Sequence, residues 1–156
     1  MSTKINFAQE GWQDAHRDAY LRTNGAEGHL ADFTVAGGSA ETPCLILKTT
    51  GRKSGAAKVL PLIYGKDGGD FVIVASKGGA PKHPAWYLNL VANPEVEFQV
   101  ADKKYRGVAT AAEGAERERL FAMMAGVYPP YIAYKASTER EIPVVRLHPS
   151  AEIDHL

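Results

Sequence analysis

Three cations, a hydroxyl and two glycines fall within Gly51-Arg52-Lys53-Ser54-Gly55 and the nearby Lys58. That makeup suits an anion. Arginine offers a planar fork to phosphate or carboxylate, lysine adds a mobile point charge, and glycine lets backbone amides approach closely. The spacing does not match the phosphate loop of nucleoside triphosphatases, and similar turns occur on ordinary surfaces, so this stretch alone leaves its ligand open. A second stretch, Ala75-Ser76-Lys77-Gly78-Gly79-Ala80-Pro81-Lys82-His83-Pro84-Ala85-Trp86-Tyr87, reads as a strand passing through a glycine turn into a helix. Its exposed amides and positive helix end can hold phosphate or ring carbonyl oxygens, with Trp86 as a flat apolar wall. The alternative is that Trp86 and Leu90 simply plug the core. His83 reads as a hydrogen-bonding residue at the helix start, and no metal site is expected, because no second histidine or carboxylate stands at a ligand spacing. Tyr128, Tyr131 and Tyr134 flank a proline pair at intervals of three and would meet on one helical face, as an aromatic lid or as a core cluster.

Composition narrows the field. The 156 residues are 45% hydrophobic and 23% charged, which suits one domain over 1–156 able to bury roughly 70% of its unfolded surface. Lys plus Arg equals Asp plus Glu at 18 each, so no overall field favours nucleic acid or an acidic membrane. Thr42 to Pro94, however, carries seven basic residues (Lys48, Arg52, Lys53, Lys58, Lys66, Lys77, Lys82) against Asp67 and Asp70, about +5 locally, matching either a solvated basic face or a site for a small polyanion. The aromatic residues are not interleaved with these cations, which argues against single-stranded nucleic acid. The lone Cys44 has no partner for a disulfide or a shared metal and reads as a buried strand thiol. No run approaches about 18 apolar residues and Met1 to Phe7 lacks a secretory pattern, so a cytoplasmic protein without an integral membrane segment is expected.

The elements that must position these residues read as mainly β with short helices. Strands are expected at Cys44–Thr50, Val59–Tyr64, Phe71–Ser76, Glu95–Val100, Tyr105–Thr110 and Val144–Leu147, the first three as a meander and the last closing a barrel. Helices are expected at His83–Leu90 with Pro84 at the first position, at Ala115–Met124 and within Tyr131–Thr138. Near the start, Trp12, Ala15, Ala19 and Tyr20 recur at helical spacing. That helix is expected to pack on the barrel, since its apolar face is small and its polar face is not basic, with peripheral membrane contact as the alternative. Gly25 to Thr42 reads as a linker or flap, so residues 1–42 form an N-terminal helix and flap and 43–147 the barrel core.

The ordered blocks Thr49-Thr50-Gly51-Arg52-Lys53-Ser54-Gly55, Pro61-Leu62, Ala75 through Leu90, Ala92-Asn93-Pro94-Glu95-Val96, Tyr128-Pro129-Pro130-Tyr131 and Arg140-Glu141-Ile142-Pro143-Val144 closely resemble the deazaflavin (coenzyme F-420)-dependent nitroreductase family. The resemblance implies a split β-barrel of about six mostly antiparallel strands with short peripheral helices. It implies an oxidoreductase that passes hydride from reduced F-420 to a small electron-poor acceptor such as a quinone, enone or nitro compound. Carried over by position, Arg52, Lys53, Ser54 and Lys58 would hold the anionic tail, Pro61 and Ala75, Ser76, Lys77, Gly78, Gly79 and Ala80 would line the ring, and Trp86, Tyr87, Asn89 and Leu90 would close the groove. Tyr128, Tyr131 and Tyr134 would face the acceptor, with Ser76 or one phenol orienting or protonating it. Lys58 stands where many relatives have arginine, which implies fewer tail contacts. Likeness to split barrels also implies a homodimer. The competing expectations are the same barrel carrying FMN or haem, and a non-catalytic deazaflavin carrier. Hydride chemistry belongs to the cofactor, so the want of a Ser-His-Asp set or paired carboxylates fits either form of redox protein.

Overall fold

In a computed structural model that describes residues 2–156, all six expected strands are present, accompanied by shorter ones. The strands are β1 (Thr3–Lys4), β2 (Leu30–Asp32), β3 (Thr42–Thr50), β4 (Ala57–Ile63), β5 (Gly65–Asp67), β6 (Asp70–Val74), β7 (Glu95–Val100), β8 (Lys103–Ala111) and β9 (Val144–Ile153). They form one large, mostly antiparallel sheet in the order β1-β2-β3-β7-β8-β9-β6-β5, with β4 paired to β3. Helices α1 (Trp12–Arg22), α2 (Ala85–Ala92), α3 (Gly114–Val127) and α4 (Pro130–Ala136) lie around it.

The expected three-strand meander is corrected. β3 and β4 form the hairpin, in register from Cys44 opposite Ile63 to Thr50 opposite Ala57. β6 instead pairs with β9 and β5, so no ladder joins β4 to β6 and the sheet is not closed by hydrogen bonds. The chain bends at Tyr64 and Gly65, where the Tyr64 amide donates to the Pro43 carbonyl. At Gly65 the side chains of Met123 and Met124 press close against the backbone.

The linker reading of Gly25–Thr42 also gives way. Leu30 and Ala31 pair with Pro43 and Thr42 on β3, Ala31 is fully buried, and Phe33 packs into the core. Composition hid this because only a few apolar side chains anchor a glycine-rich segment. α1 packs against β4, as expected, but its buried face carries His16 and Tyr20 beside half-buried Trp12, while Ala15 is exposed. His16 Nε2–H donates to the Gly28 carbonyl at 2.8 Å, which offsets the cost of burying a polar ring. Two apolar clusters fill the interior, one around Cys44, Ile46, Leu120 and Met124, the other around Leu45, Leu47, Phe71 and Phe98. Alternate residues of β3 feed them in turn, as the period of a strand with two covered faces requires. Among the described residues no helix is long and apolar enough to cross a membrane.

Candidate functional site

The β3–β4 hairpin ends in a turn that its own sequence closes. Gly51 N–H donates to the Ala56 carbonyl at 2.7 Å, Gly55 N–H to the Gly51 carbonyl at 2.9 Å, and Ser54 Oγ accepts from the Ala56 amide at 3.1 Å. Ser54 therefore shapes the turn, with its O–H proton still free to donate. Arg52 leans on α2: its backbone N–H and its Nη1 both donate to Asn89 Oδ1, each at 3.1 Å, while Asn89 Nδ2 reaches Thr49 Oγ1 at 3.4 Å. Asn89 is buried, so those bonds satisfy an amide that would otherwise be costly to enclose.

A cavity of about 1010 Å³ runs along this hairpin. Its walls include Arg52, Lys53, Ser54, Lys58, Pro61, Ser76, Lys77, Gly78, Trp86, Asn89, Tyr128, Tyr131 and Tyr134. The expected residues Ala75, Gly79, Ala80, Tyr87 and Leu90 stand outside those walls. Helical rotation accounts for part of this: Trp86 and Asn89 face the cavity, Leu90 sinks into the second apolar cluster, and Tyr87 turns to the His83 ring at 5.0 Å. Trp86 thus both lines the cavity and plugs the core, joining the two expectations. Ala75 is buried behind Ser76, and Gly79 sits where a Cβ would run into Ser137 Oγ and the Tyr134 backbone.

Charge and apolar surface are separated along the hairpin. From Cys44 to Thr50 a strand rises roughly 20 Å. Cys44 and Tyr131 belong to one cluster near the base of the hairpin, and Arg52 and Lys53 sit at its tip. Of the seven basic residues in Thr42–Pro94, Arg52, Lys53, Lys58 and Lys77 line the cavity. Lys82 lines a smaller cavity beside it, Lys48 pairs with Glu97 at 3.5 Å, and Lys66 lies over the Phe71 ring.

The tyrosines form one cluster. Tyr128 and Tyr131 rings are 5.0 Å apart and the Tyr128 and Tyr134 hydroxyls are 3.3 Å apart. Burial, reinforced for Tyr128 by the Tyr134 hydroxyl, pushes the phenols of Tyr128 and Tyr131 well above the usual range. They therefore stay protonated, and able to donate an O–H, well into the alkaline range. Burial likewise raises the Cys44 thiol, which leaves it protonated and a poor nucleophile.

Several wall residues have no local signal in the sequence. Phe7, Trp12, His16, Arg17 and Phe33 all line the cavity. Phe7 stacks edge-on with Trp12 at 4.8 Å, and Phe33 meets Tyr128, at the end of α3, at 5.8 Å, so the N-terminal segment and the tyrosine cluster make one aromatic end. Only the aromatic content of residues 7–33 hinted at this. Among the described residues no group of three or more His, Cys, Asp or Glu is placed to hold a metal ion.

Comparison with known proteins gives four matches. The family model described as F420H(2)-dependent quinone reductase matches residues 12–149. An F420H(2)-dependent quinone reductase of Mycobacterium tuberculosis (strain ATCC 25618 / H37Rv) is 38% identical over 135 residues, covering 85% of this chain and 86% of that protein. Among solved structures, an F420-H2 dependent reductase (FDR-A) superposes with a TM-score of 0.64 at 43% identity, covering 68% of this chain and 94% of its own. A domain-swapped dimer superposes with a TM-score of 0.65 at 36% identity, covering 86% and 98%.

Proposed function

The chain belongs to the F420H(2)-dependent quinone reductase family, and on that footing we propose that it is a deazaflavin-dependent oxidoreductase acting on a quinone or a similarly electron-poor acceptor. The observation that carries the reading is the polarity of the cavity, with cations at the hairpin tip and phenols and apolar rings at the base. A redox ring with a long anionic appendage matches such a cavity at both ends. The volume, about 1010 Å³, is at the upper end of the range for cofactor sites, roughly 300–1,000 Å³. When bound, the reduced deazaflavin supplies the hydride.

The residues present fit that group. Arg52, Lys53 and Lys58 would hold phosphate and carboxylates of the tail, and Ser54 would add one hydroxyl donor. Pro61, Ser76, Lys77 and Gly78 would border the ring, with Trp86 against it from α2 and Asn89 aiming Arg52 at the tail. Tyr128, Tyr131, Tyr134 and Ser76 would orient the acceptor. An acceptor oxygen that gains negative charge as hydride arrives is best met by neutral O–H donors held in place beforehand, and the Tyr128 and Tyr131 phenols, neutral at physiological pH like any phenol, are held by their mutual packing. The aromatic wall of Phe7, Trp12 and Phe33 would keep water from that end.

The proposal extends to the frame: the whole chain acts as one deazaflavin-binding unit on a split β-barrel whose core is residues 43–147. It works as a homodimer in the cytoplasm. The test is a set of titrations of the purified protein with F420, FMN and haem, followed by oxidation of reduced F420 in the presence of menadione. Selective F420 binding and menadione-dependent oxidation are expected. Preference for FMN or haem would overturn the cofactor, and binding with no acceleration by menadione would leave a carrier. Light scattering on the same sample reads the oligomeric state.

A further inference from the structure

Residues 77–79 hold an unusual backbone. Lys77, Gly78 and Gly79 have φ of 47°, 62° and 80°, a run in the left-handed region that an L residue such as Lys77 adopts only when its surroundings hold it there. The holding group comes from far along the chain. Arg140, in the segment between α4 and β9, donates from Nε to the Ala80 carbonyl at 2.7 Å, from Nη2 to the Ser76 carbonyl at 2.6 Å and from Nη1 to the Ala75 carbonyl at 3.2 Å. The same Nη1 lies 3.1 Å from His83 Nδ1. A guanidinium has no acceptor, so Nδ1 must accept, and the His83 proton sits on Nε2.

These bonds have a consequence for the other side of the loop. In a trans peptide the C=O of one residue and the N–H of the next point in opposite directions. No cis peptide occurs among the described residues. Drawing the Ala75 and Ser76 carbonyls toward Arg140 therefore turns the Ser76 and Lys77 amides away from it, and both residues line the large cavity. We propose that Arg140, seated on neutral His83, is the positioning residue that arms this loop, removing two carbonyls from the cavity wall and presenting two amide donors to the cofactor. The inference rests on the reading that the cavity seats the deazaflavin.

A protonated His83 would set a second N–H against Arg140, losing one bond and adding like charge. The groups around it are almost all basic: Arg140 on one side, Tyr87 on α2, and Lys77, Lys82 and Arg52 around the smaller cavity they share. Burial first, then Arg140, lowers the imidazole from its ordinary 6.5. The clamp is complete above that lowered value and loses an arm as pH falls through it.

The test compares wild type with Arg140→Met, Arg140→Lys and His83→Gln. F420 binding is read by cofactor fluorescence at about pH 8 and about pH 5.5, with menadione kcat and KM alongside. Arg140→Met is expected to weaken F420 binding roughly 10- to 100-fold, the equivalent of one or two charged hydrogen bonds, with menadione KM unmoved. Arg140→Lys should recover part of the affinity. Wild-type affinity should fall on acidification beyond what ligand protonation causes, and His83→Gln, an acceptor that does not titrate, should lose that excess. If Arg140→Met melts earlier but binds F420 as wild type does, Arg140 is merely structural. Should Arg140→Met fail to fold, undiminished binding in Arg140→Lys together with an unaltered pH ratio in His83→Gln overturns the clamp. Failure of wild type to bind F420 would sink the functional reading and the clamp together, whereas wild-type binding with unchanged variants sinks the clamp alone.

Discussion

Asn89→Ala separates a buried amide that merely satisfies the fold from one that aims a cation. The side chain accepts two N–H groups of Arg52, one backbone and one guanidinium, and makes a long bond to Thr49. The backbone bond contributes about 1 kcal/mol, and the guanidinium bond about as much again once solvent screening of an exposed arginine is allowed for, so roughly 2 kcal/mol of stability should be lost. For a chain of this size that lowers Tm by roughly 4–8 °C. Affinity should fall as well, because an untethered Arg52 must give up rotamer freedom of about 2 kcal/mol on binding, of which the tether removes part, so a loss of about 10-fold is expected. Arg52→Ala should cost F420 roughly 10- to 100-fold through one lost charged contact, and lower Tm by roughly 2–4 °C through the lost guanidinium bond to Asn89. The decisive assay is the double-mutant cycle, with Kd from F420 fluorescence and Tm from calorimetry. If Asn89 acts through Arg52, adding Asn89→Ala to Arg52→Ala changes Tm but no longer changes Kd. Equal losses of affinity in both backgrounds would refute the tether and make Asn89 a direct contact.

Replacing Tyr128, Tyr131 and Tyr134 singly with Phe should lower menadione turnover, most at the hydroxyl nearest the acceptor, while F420 affinity stays put; unchanged turnover in all three would remove them from acceptor chemistry. Arg119 grips Asp67 at 2.9 and 3.1 Å and Arg146 at 2.6 Å, and these hydrogen bonds, Arg119 first, hold its carboxyl far below its ordinary 3.8. A depressed folded-state value means stability present above 3.8 and lost as pH falls below it, so a Tm series from about pH 6 to about pH 2.5 should drop less steeply at the acid end in Arg146→Met than in wild type; parallel curves would deny the linkage. Cys44, 1% exposed and with its thiol raised by burial, should react with a disulfide reagent at about pH 8 only as fast as the chain opens, and reaction within mixing time in the folded protein would contradict its placement.

The hairpin tip and the α2 entrance were legible because each is a contiguous stretch in which residue type and backbone geometry agree. Gly51 and Gly55 close the turn, Pro84 precedes the first turn of α2, and strict alternation in β7 marks its buried Val96 and Phe98. Position along α2 is less finely legible: the wall takes Ala85, Trp86 and Asn89, while Tyr87 and Leu90 fall outside it. The N-terminal segment was misread for a different reason. Its buried stripe passes through His16, a residue that counts as polar until the Gly28 carbonyl supplies a partner, while the apolar Ala15 that suggested the face lies in solvent. Arg140 was silent because its partners lie roughly 60 positions away, and pairings at that range leave no local pattern.

The two ends of the cavity are encoded differently in the chain, which also bears on function. The part of the cavity assigned to the cofactor is built from two continuous stretches, 51–61 and 76–89, because an anionic tail and a flat ring can be met by turns and a helix start that short sequences encode. The aromatic end is assembled from Phe7, Trp12, Phe33 and the three tyrosines, which belong to three separate segments brought together by packing alone. Tail binding then depends on local chemistry and should survive moderate loss of stability. Acceptor placement depends on the N-terminal segment staying docked through Ala31, Phe33 and the His16–Gly28 bond. Loosening that docking should therefore raise acceptor KM before it touches F420 affinity, an order that would reverse if the aromatic end also carried the ring.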